Sequence, residues 1–223
     1  MEVIFEENKP EEIQLSDKDI FTKIWISPRL VFKFINENNY TKFTTILLIL
    51  GGITSALNRA SAVNMGDIMP LWSVLIVCML GGAVFGWLYF YIYAALLSWT
   101  GKWLKGIGNT KALFRMISYA LIPSMVVLFT FILRIVLIGN EEFQGNVDVL
   151  NNGFLTTTLF SFSLFVELVI GVWTLVILVI GISEVQKLSI GKSILNLILP
   201  MVLLIIVLIP VAAIAYLVGD FMK

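Results

Sequence analysis

The sequence predicts an all-α polytopic membrane protein, a bundle of five transmembrane helices with a short amphipathic helix at its N-terminus. Composition, the lengths of the apolar segments and the distribution of basic residues all point to this fold class. Of the 223 residues, 59% are hydrophobic and 13% are charged, and the mean hydropathy is +0.95. A soluble domain carries about 25% charged residues, so much of this protein's surface must face lipid.

Five apolar segments are long enough to span a bilayer, which takes roughly 20 residues of helix. They cover approximately residues 41–60, 71–98, 116–138, 154–182 and 193–218. The first is the weakest, because it is short and ends in Asn58 and Arg59. Membrane-barrel strands would alternate apolar and polar residues. These segments are apolar on all sides, so helices are predicted.

The basic residues predict the orientation, because Lys and Arg in short loops collect on the cytoplasmic side. Twelve of them lie before the first span, in the second loop and in the fourth loop: Lys9, Lys18, Lys23, Arg29, Lys33, Lys42, Lys102, Lys105, Lys111, Arg115, Lys187 and Lys192. The other face has only Arg59 and Lys223, and Arg134 lies within a span. This alternation predicts a cytoplasmic N-terminus and an extracytoplasmic C-terminus.

Three regions follow along the chain. Residues 1–16 are acidic, poor in aromatic residues and predicted to be a disordered cytosolic tail. Residues 17–40 are predicted to be an amphipathic interfacial segment, and residues 41–223 the five-helix transmembrane domain.

Within the interfacial segment, Ser27 followed by Pro28 is typical of a helix start. Phe34 belongs to the apolar side of the predicted helix, Arg29 to its polar side, and Trp25 suits the depth of the lipid headgroups. Two interpretations remain open. The helix lies flat in the headgroup layer, or it packs on the cytosolic ends of the bundle.

Small residues and prolines mark packing features within the spans. Gly82 and Gly86 form a small-xxx-small pair that allows close helix approach, either to another helix of this chain or to a second copy. Pro123, Pro200 and Pro210 each remove a backbone hydrogen bond and are predicted to kink their helices.

Two charged residues lie inside predicted spans. Arg134 is near the outer end of the third span, and Glu167 is about two turns into the fourth. A charge in hydrocarbon costs at least about 2.5–3.5 kcal/mol and usually has a partner. We therefore predict an intramembrane ion pair between Arg134 and Glu167, with either a structural or a functional role. Protonated Glu167 with Arg134 reaching toward the outer surface is the alternative.

No catalytic or cofactor pattern is present. The chain has no histidine, its lone cysteine, Cys78, lies in an apolar segment, and no phosphate-binding glycine loop or metal-ligand motif occurs. A formal net charge of zero argues against nucleic-acid binding. We predict no enzymatic activity, no metal and no cofactor.

Several stretches together resemble the Yip-domain family, the Ypt/Rab-interacting membrane proteins. These are residues 24–28, Arg115 with 119–123, 171–174, 181–183, and the trio Ser189, Gly191 and Lys192. The resemblance implies a five-helix bundle with a cytosolic N-terminus. In eukaryotic members it implies vesicle traffic, with prenylated Rab GTPases and sister proteins as partners.

Residues 25–28 replace the Asp-Leu-Tyr-Gly-Pro type of motif of those eukaryotic members, and the cytosolic segment is short, so the chain looks more like the prokaryotic branch. The prediction is a non-enzymatic scaffold in a bacterial cell membrane, or in the Golgi or ER membrane if the source is eukaryotic. Its partners would be membrane lipids, a protein at the cytosolic face or a second copy. The alternative is a small-molecule or lipid transporter or channel with a polar site near Arg134 and Glu167.

Overall fold

The computed structural model describes residues 14–146 and 153–221, and within these ranges it is helical with no strand. The α-helices are α1 (Asp17–Lys23), α2 (Pro28–Glu37), α3 (Thr44–Ala62), α4 (Leu71–Trp103), α5 (Thr110–Ala120), α6 (Ser124–Ile138), α7 (Phe154–Gln186) and α8 (Ile190–Phe221). Short 3₁₀ turns follow α3 and α6. Most of the predicted acidic tail lies outside the described residues.

Five helical segments are long and apolar enough to cross a membrane, which confirms the predicted fold class. They are α3, α4, α6 with its 3₁₀ turn, α7 and the first part of α8. Helices α4 and α7 have 33 residues each. At 1.5 Å per residue each is about 50 Å long, whereas the hydrocarbon core is only about 30 Å thick. Both helices must therefore extend beyond the hydrocarbon.

The third span differs from its prediction, because Pro123 separates two helices. Helix α5 ends at Ala120, and α6 begins at Ser124 with Pro123 as its N-cap residue. Proline has no amide hydrogen and its ring clashes with the carbonyl four residues earlier, so the chain turns here instead of continuing. Pro200 and Pro210 both lie inside α8, which continues through them. The predicted kinks at these two positions remain predictions.

The buried apolar residues form two clusters at opposite ends of the bundle. One joins α1, α2, α5, the first half of α3 and the last turns of α4 and α7. The other joins the end of α3, the start of α4, α6 and Phe143. We call the first the basic end, because it gathers the Lys- and Arg-rich segments, and the second the acidic end. The two clusters share helices α3 and α4 but have no residue in common.

The N-terminal helices are part of the basic-end core. Ile20, Val31, Phe32 and Ile35 are essentially inaccessible to solvent, and α2 packs against α5 and α7. Of the residues singled out from the sequence, Pro28 and Phe34 are buried, Trp25 is half-buried and Arg29 is exposed. Helix α2 begins at Pro28 as predicted from its sequence, although the Ser27 hydroxyl makes no capping hydrogen bond.

A polar contact ties α1 to the loop before α3. The Tyr40 hydroxyl donates to Asp17 Oδ1 at 2.6 Å, and Lys42 forms an ion pair with the same carboxylate. These two partners lower the pKa of Asp17. The contact is therefore complete at neutral pH and is lost as the pH falls through the pKa of this carboxyl group.

Helices α3 and α4 cross in close contact, at the predicted glycine pair and a third glycine. A Cβ atom on Gly86 would lie 2.5 Å from the Cα of Gly52, and one on Gly82 would lie 2.7 Å from the Cα of Ile53. These neighbours are backbone atoms, so no side-chain rotation could make room for the added methyl group. Within this chain the glycine pair thus faces α3, while a Cβ on the neighbouring Gly81 would meet nothing within 4 Å.

Replacing Gly86 by alanine should lower the free energy of unfolding by about 1–3 kcal/mol, the usual range for overpacking, because α3 and α4 must separate. Gly81→Ala is the matched control and should leave stability unchanged or slightly raised. Unfolding of the purified protein in a mild detergent measures both. Equal stabilities of the two variants would contradict the close contact.

Candidate functional site

The strongest polar cluster within the spans is centred on Arg134 of α6. Its Nη1 donates to Glu167 Oε1 of α7 at 2.6 Å, and its Nε and Nη2 donate to the two carboxylate oxygens of Glu142, each at 3.0 Å. The Thr130 hydroxyl, one turn before Arg134, also donates to Glu167 Oε1, at 3.1 Å. Arg134 and Glu142 expose only 3% of their side chains and Glu167 exposes 17%.

Aromatic rings enclose the guanidinium as well. Arg134 Cζ lies 4.5 Å from the ring centre of Phe131 and 5.8 Å from that of Phe160. Such cation–π contacts stabilise a desolvated cation. The cation is therefore held by carboxylates on two sides and by the faces of aromatic rings.

Glu142 is not among the residues expected at this site from the sequence, because it lies beyond the third apolar segment. Gly139 ends α6 with φ of +59°, and a 3₁₀ turn over Gly139–Phe143 brings the chain back toward the bundle. The buried ring of Phe143 anchors this turn, and the Ser61 hydroxyl donates to the Glu142 carbonyl at 2.9 Å. A glycine directly after the apolar segment was the one available signal that the acidic residues turn back.

Two cavities of about 340 and 300 Å³ adjoin the cluster. Asn58 and Glu167 line both of them. The first includes Glu141 at the acidic end, and the second runs between α3, α6 and α7 along Thr54 and Thr174. Glu167 is the fourteenth of the 33 residues of α7, so its carboxylate lies near the middle of the helix.

The composition of the cluster limits its chemistry. One guanidinium faces two carboxylates, so the formal charge is −1 when both are ionised. The described residues contain no set of three His, Cys, Asp or Glu side chains that could hold a metal ion. The arrangement can hold a structural ion pair, or bind a proton, a cation or a polar solute.

A second buried polar junction lies at the basic end. The Gln186 side-chain amide at the end of α7 donates to the carbonyl of Leu97 at 2.8 Å, and the Asn196 amide of α8 donates to the same carbonyl at 3.3 Å. The Thr100 hydroxyl donates to Asn196 Oδ1 at 2.7 Å. A Cβ on Gly101 or on Gly106 would collide with the Gln186 side chain. This junction fastens the ends of α4 and α7 to the start of α8.

Comparison with known proteins points to one family. A family model described as "Yip1 domain" matches residues 22–212, which covers α2 to α7, most of α8 and the last two residues of α1. A search of curated proteins found no match, and a search of solved structures found none.

Arg134→Gln should lower the free energy of unfolding by about 3–5 kcal/mol, because it leaves two buried carboxylates without their cation. Glu167→Gln should cost much less, because it brings the formal charge of the cluster from −1 to zero and its side chain is the most accessible of the three. Thermal and denaturant unfolding in detergent measure both variants. A larger loss for Glu167→Gln than for Arg134→Gln would contradict this charge balance.

Proposed function

Because the chain belongs to the Yip1-domain family, we propose that this integral membrane protein is a non-enzymatic scaffold that recruits a protein partner at its basic end. We place that end in the cytosol, in agreement with the positive-inside distribution of Lys and Arg, and the protein in a bacterial cell membrane. A Golgi or ER location is the alternative for a eukaryotic source.

The observation that carries this proposal is a partly apolar, cationic surface on the N-terminal helices. A cavity of about 660 Å³ lies between the start of α2 and the turn from α7 to α8, and Arg29, Lys33 and Leu30 line it. The one acidic lining residue, Glu184, forms an ion pair with Lys187. At its edge Ile26 exposes 82% of its surface. Neither Arg29 nor Lys33 has a hydrogen bond or ion pair to any described residue. The surface thus suits a partner segment with apolar and acidic side chains.

This surface is rigid, which favours a docking role. On the opposite side of α2, Val31 and Phe32 are fully buried in the core of the basic end. The exposed cations are therefore held in place by a helix that cannot move independently. The same burial means that removing the first 38 residues would damage the fold, so surface substitutions are the better test.

A second candidate function, transport of a polar solute or ion, rests on a different observation. The two cavities share Asn58 and Glu167 in their lining and together offer a path between α3, α6 and α7, which is polar at the acidic end and mainly apolar beyond Glu167. A small transporter needs such a path to the middle of the membrane. Glu167 is the charged residue that lines both cavities. A cation that moves from one cavity to the other would therefore meet its carboxylate.

For the scaffold, the triple substitution Ile26→Asp, Arg29→Glu and Lys33→Glu should abolish partner recruitment and leave the unfolding temperature unchanged, because all three side chains are exposed. Lys105→Glu, an exposed basic residue at the same end but outside this cavity, is the control. Cross-linking in native membranes followed by quantitative mass spectrometry compares the partners of each variant. An identical partner set for the triple variant and the control would rule out this surface.

For transport, proteoliposomes loaded with a pH-sensitive dye or with labelled Na⁺ or K⁺ should show flux through the native protein. Glu167→Gln should abolish this flux, because the carboxylate at the junction of the cavities is lost. Glu184→Gln, at the basic end and away from the path, should retain it. No flux of these ions through the native protein, or equal flux in the two variants, would count against transport through this path.

A further inference from the structure

A polar cavity of about 380 Å³ lies at the basic end, apart from the scaffold surface and from the Arg134 cluster. Three separate segments supply its lining: the loop after α2, one turn of α4, and the start of α5. The lining residues are Asn39, Tyr91, Asn109, Thr110, Lys111 and Arg115. Every one of them offers a hydrogen-bond donor, and two of them are cations.

The two cations have no anionic partner in the part of the chain that the structure describes. Lys111 and Arg115 make no ion pair there, and the buried Nε of Arg115 has no hydrogen-bond acceptor. They are four residues apart on α5, a spacing that places them on one face, where like charges destabilise a helix. Partial burial also lowers the pKa of Arg115. An anion in the cavity would relieve both the repulsion and the unmet hydrogen-bonding demand.

The neutral lining residues strengthen this donor character. The Asn109 side chain caps α5, since its Oδ1 accepts a hydrogen bond from the Ala112 amide at 2.9 Å. Its oxygen is thus occupied, whereas its amide nitrogen has no partner among the described residues. Thr110 and Tyr91 add hydroxyl groups at the rim.

An aromatic cluster continues from the cavity toward the centre of the membrane. Trp87 stacks on Tyr91 with ring centres 5.9 Å apart, and Phe114 meets both rings edge-on at 5.8 and 5.5 Å. Trp87 and Tyr91 expose 45% and 41% of their surfaces. Since α4 runs toward the basic end, Trp87 lies one turn deeper in the membrane than Tyr91. Amphipathic aromatic rings of this kind sit at the level of the lipid headgroups and glycerol.

We propose that this cavity binds the phosphate headgroup of an anionic phospholipid. Lys111 and Arg115 pair with the phosphate, the amides and hydroxyls of Asn39, Asn109, Thr110 and Tyr91 donate to its remaining oxygens, and the glycerol and acyl chains lie along Trp87 and Phe114. The cations select for negative charge, and the aromatic cluster selects for a ligand anchored in the bilayer. This site is independent of the proposed scaffold surface, so either can fail without the other.

The test uses the full chain in mild detergent, incubated with an equimolar mixture of phosphatidylcholine and phosphatidic acid, and native mass spectrometry to count retained lipids. The native protein should retain phosphatidic acid in preference to phosphatidylcholine. A surface cation contributes about fivefold in affinity for anionic lipid. Lys111→Gln should therefore reduce the preference about fivefold, and Lys111→Gln with Arg115→Gln should abolish it.

Two further variants separate this site from general charge effects. Lys102→Gln removes an exposed cation from the same end outside the cavity and should retain the native preference. Arg115→Lys keeps the charge and should retain most of it. Arg115 is partly buried, so its replacement also tests folding. The variant of the exposed residue, Lys111→Gln, is therefore decisive, with its unfolding temperature measured alongside.

Three results would overturn the proposal. The first is equal retention of the two lipids by the native protein. The second is equal loss of preference in Lys111→Gln and Lys102→Gln. The third concerns inorganic phosphate added without lipid: if it raises the unfolding temperature as much as phosphatidic acid does, the cavity binds a soluble phosphate and not a lipid.

Discussion

Hydrocarbon offers no hydrogen bonds, so every polar group within the spans must find its partner inside the protein. The cluster around Arg134 follows directly from this constraint. A single arginine in the third span would be costly alone, and here its three donor positions are matched to two carboxylates. One of these carboxylates comes from a turn outside the helices. The turn is therefore as much a part of the transmembrane domain as the helices it joins.

The same constraint acts differently at the basic end, where α4 and α7 extend beyond the hydrocarbon. There the chain builds a compact cap from α1, α2 and α5, and fastens it with the Gln186 junction. Close packing of glycine backbone around the Gln186 side chain leaves little room for movement. Such a rigid cap can present fixed side chains to a partner or to the lipid headgroups, which a mobile N-terminal segment could not do.

The two candidate functions make use of opposite ends of the bundle. A scaffold requires the exposed cations of α2 and the isoleucine just before it, and the Arg134 cluster then serves only to hold α6 and α7 together. Transport requires the path along Glu167, and the cap then serves only as support. Because the two apolar clusters have no residue in common, a substitution on the surface of one end leaves the core residues of the other end in place. Surface substitutions can therefore distinguish the two functions.

The fold class, the five spans and the family resemblance could all be predicted from the sequence. It also placed Arg134 and Glu167 at similar depth. These properties follow from hydropathy, charge and local motifs, which depend on each residue's own preference for lipid or water. Which groups meet became apparent from the folded structure. It brought Glu142 back to Arg134, set the glycine pair of α4 against Gly52, divided the third span at Pro123, and placed Arg115 beside Asn39. Such contacts depend on how distant segments pack, and no local preference encodes that geometry.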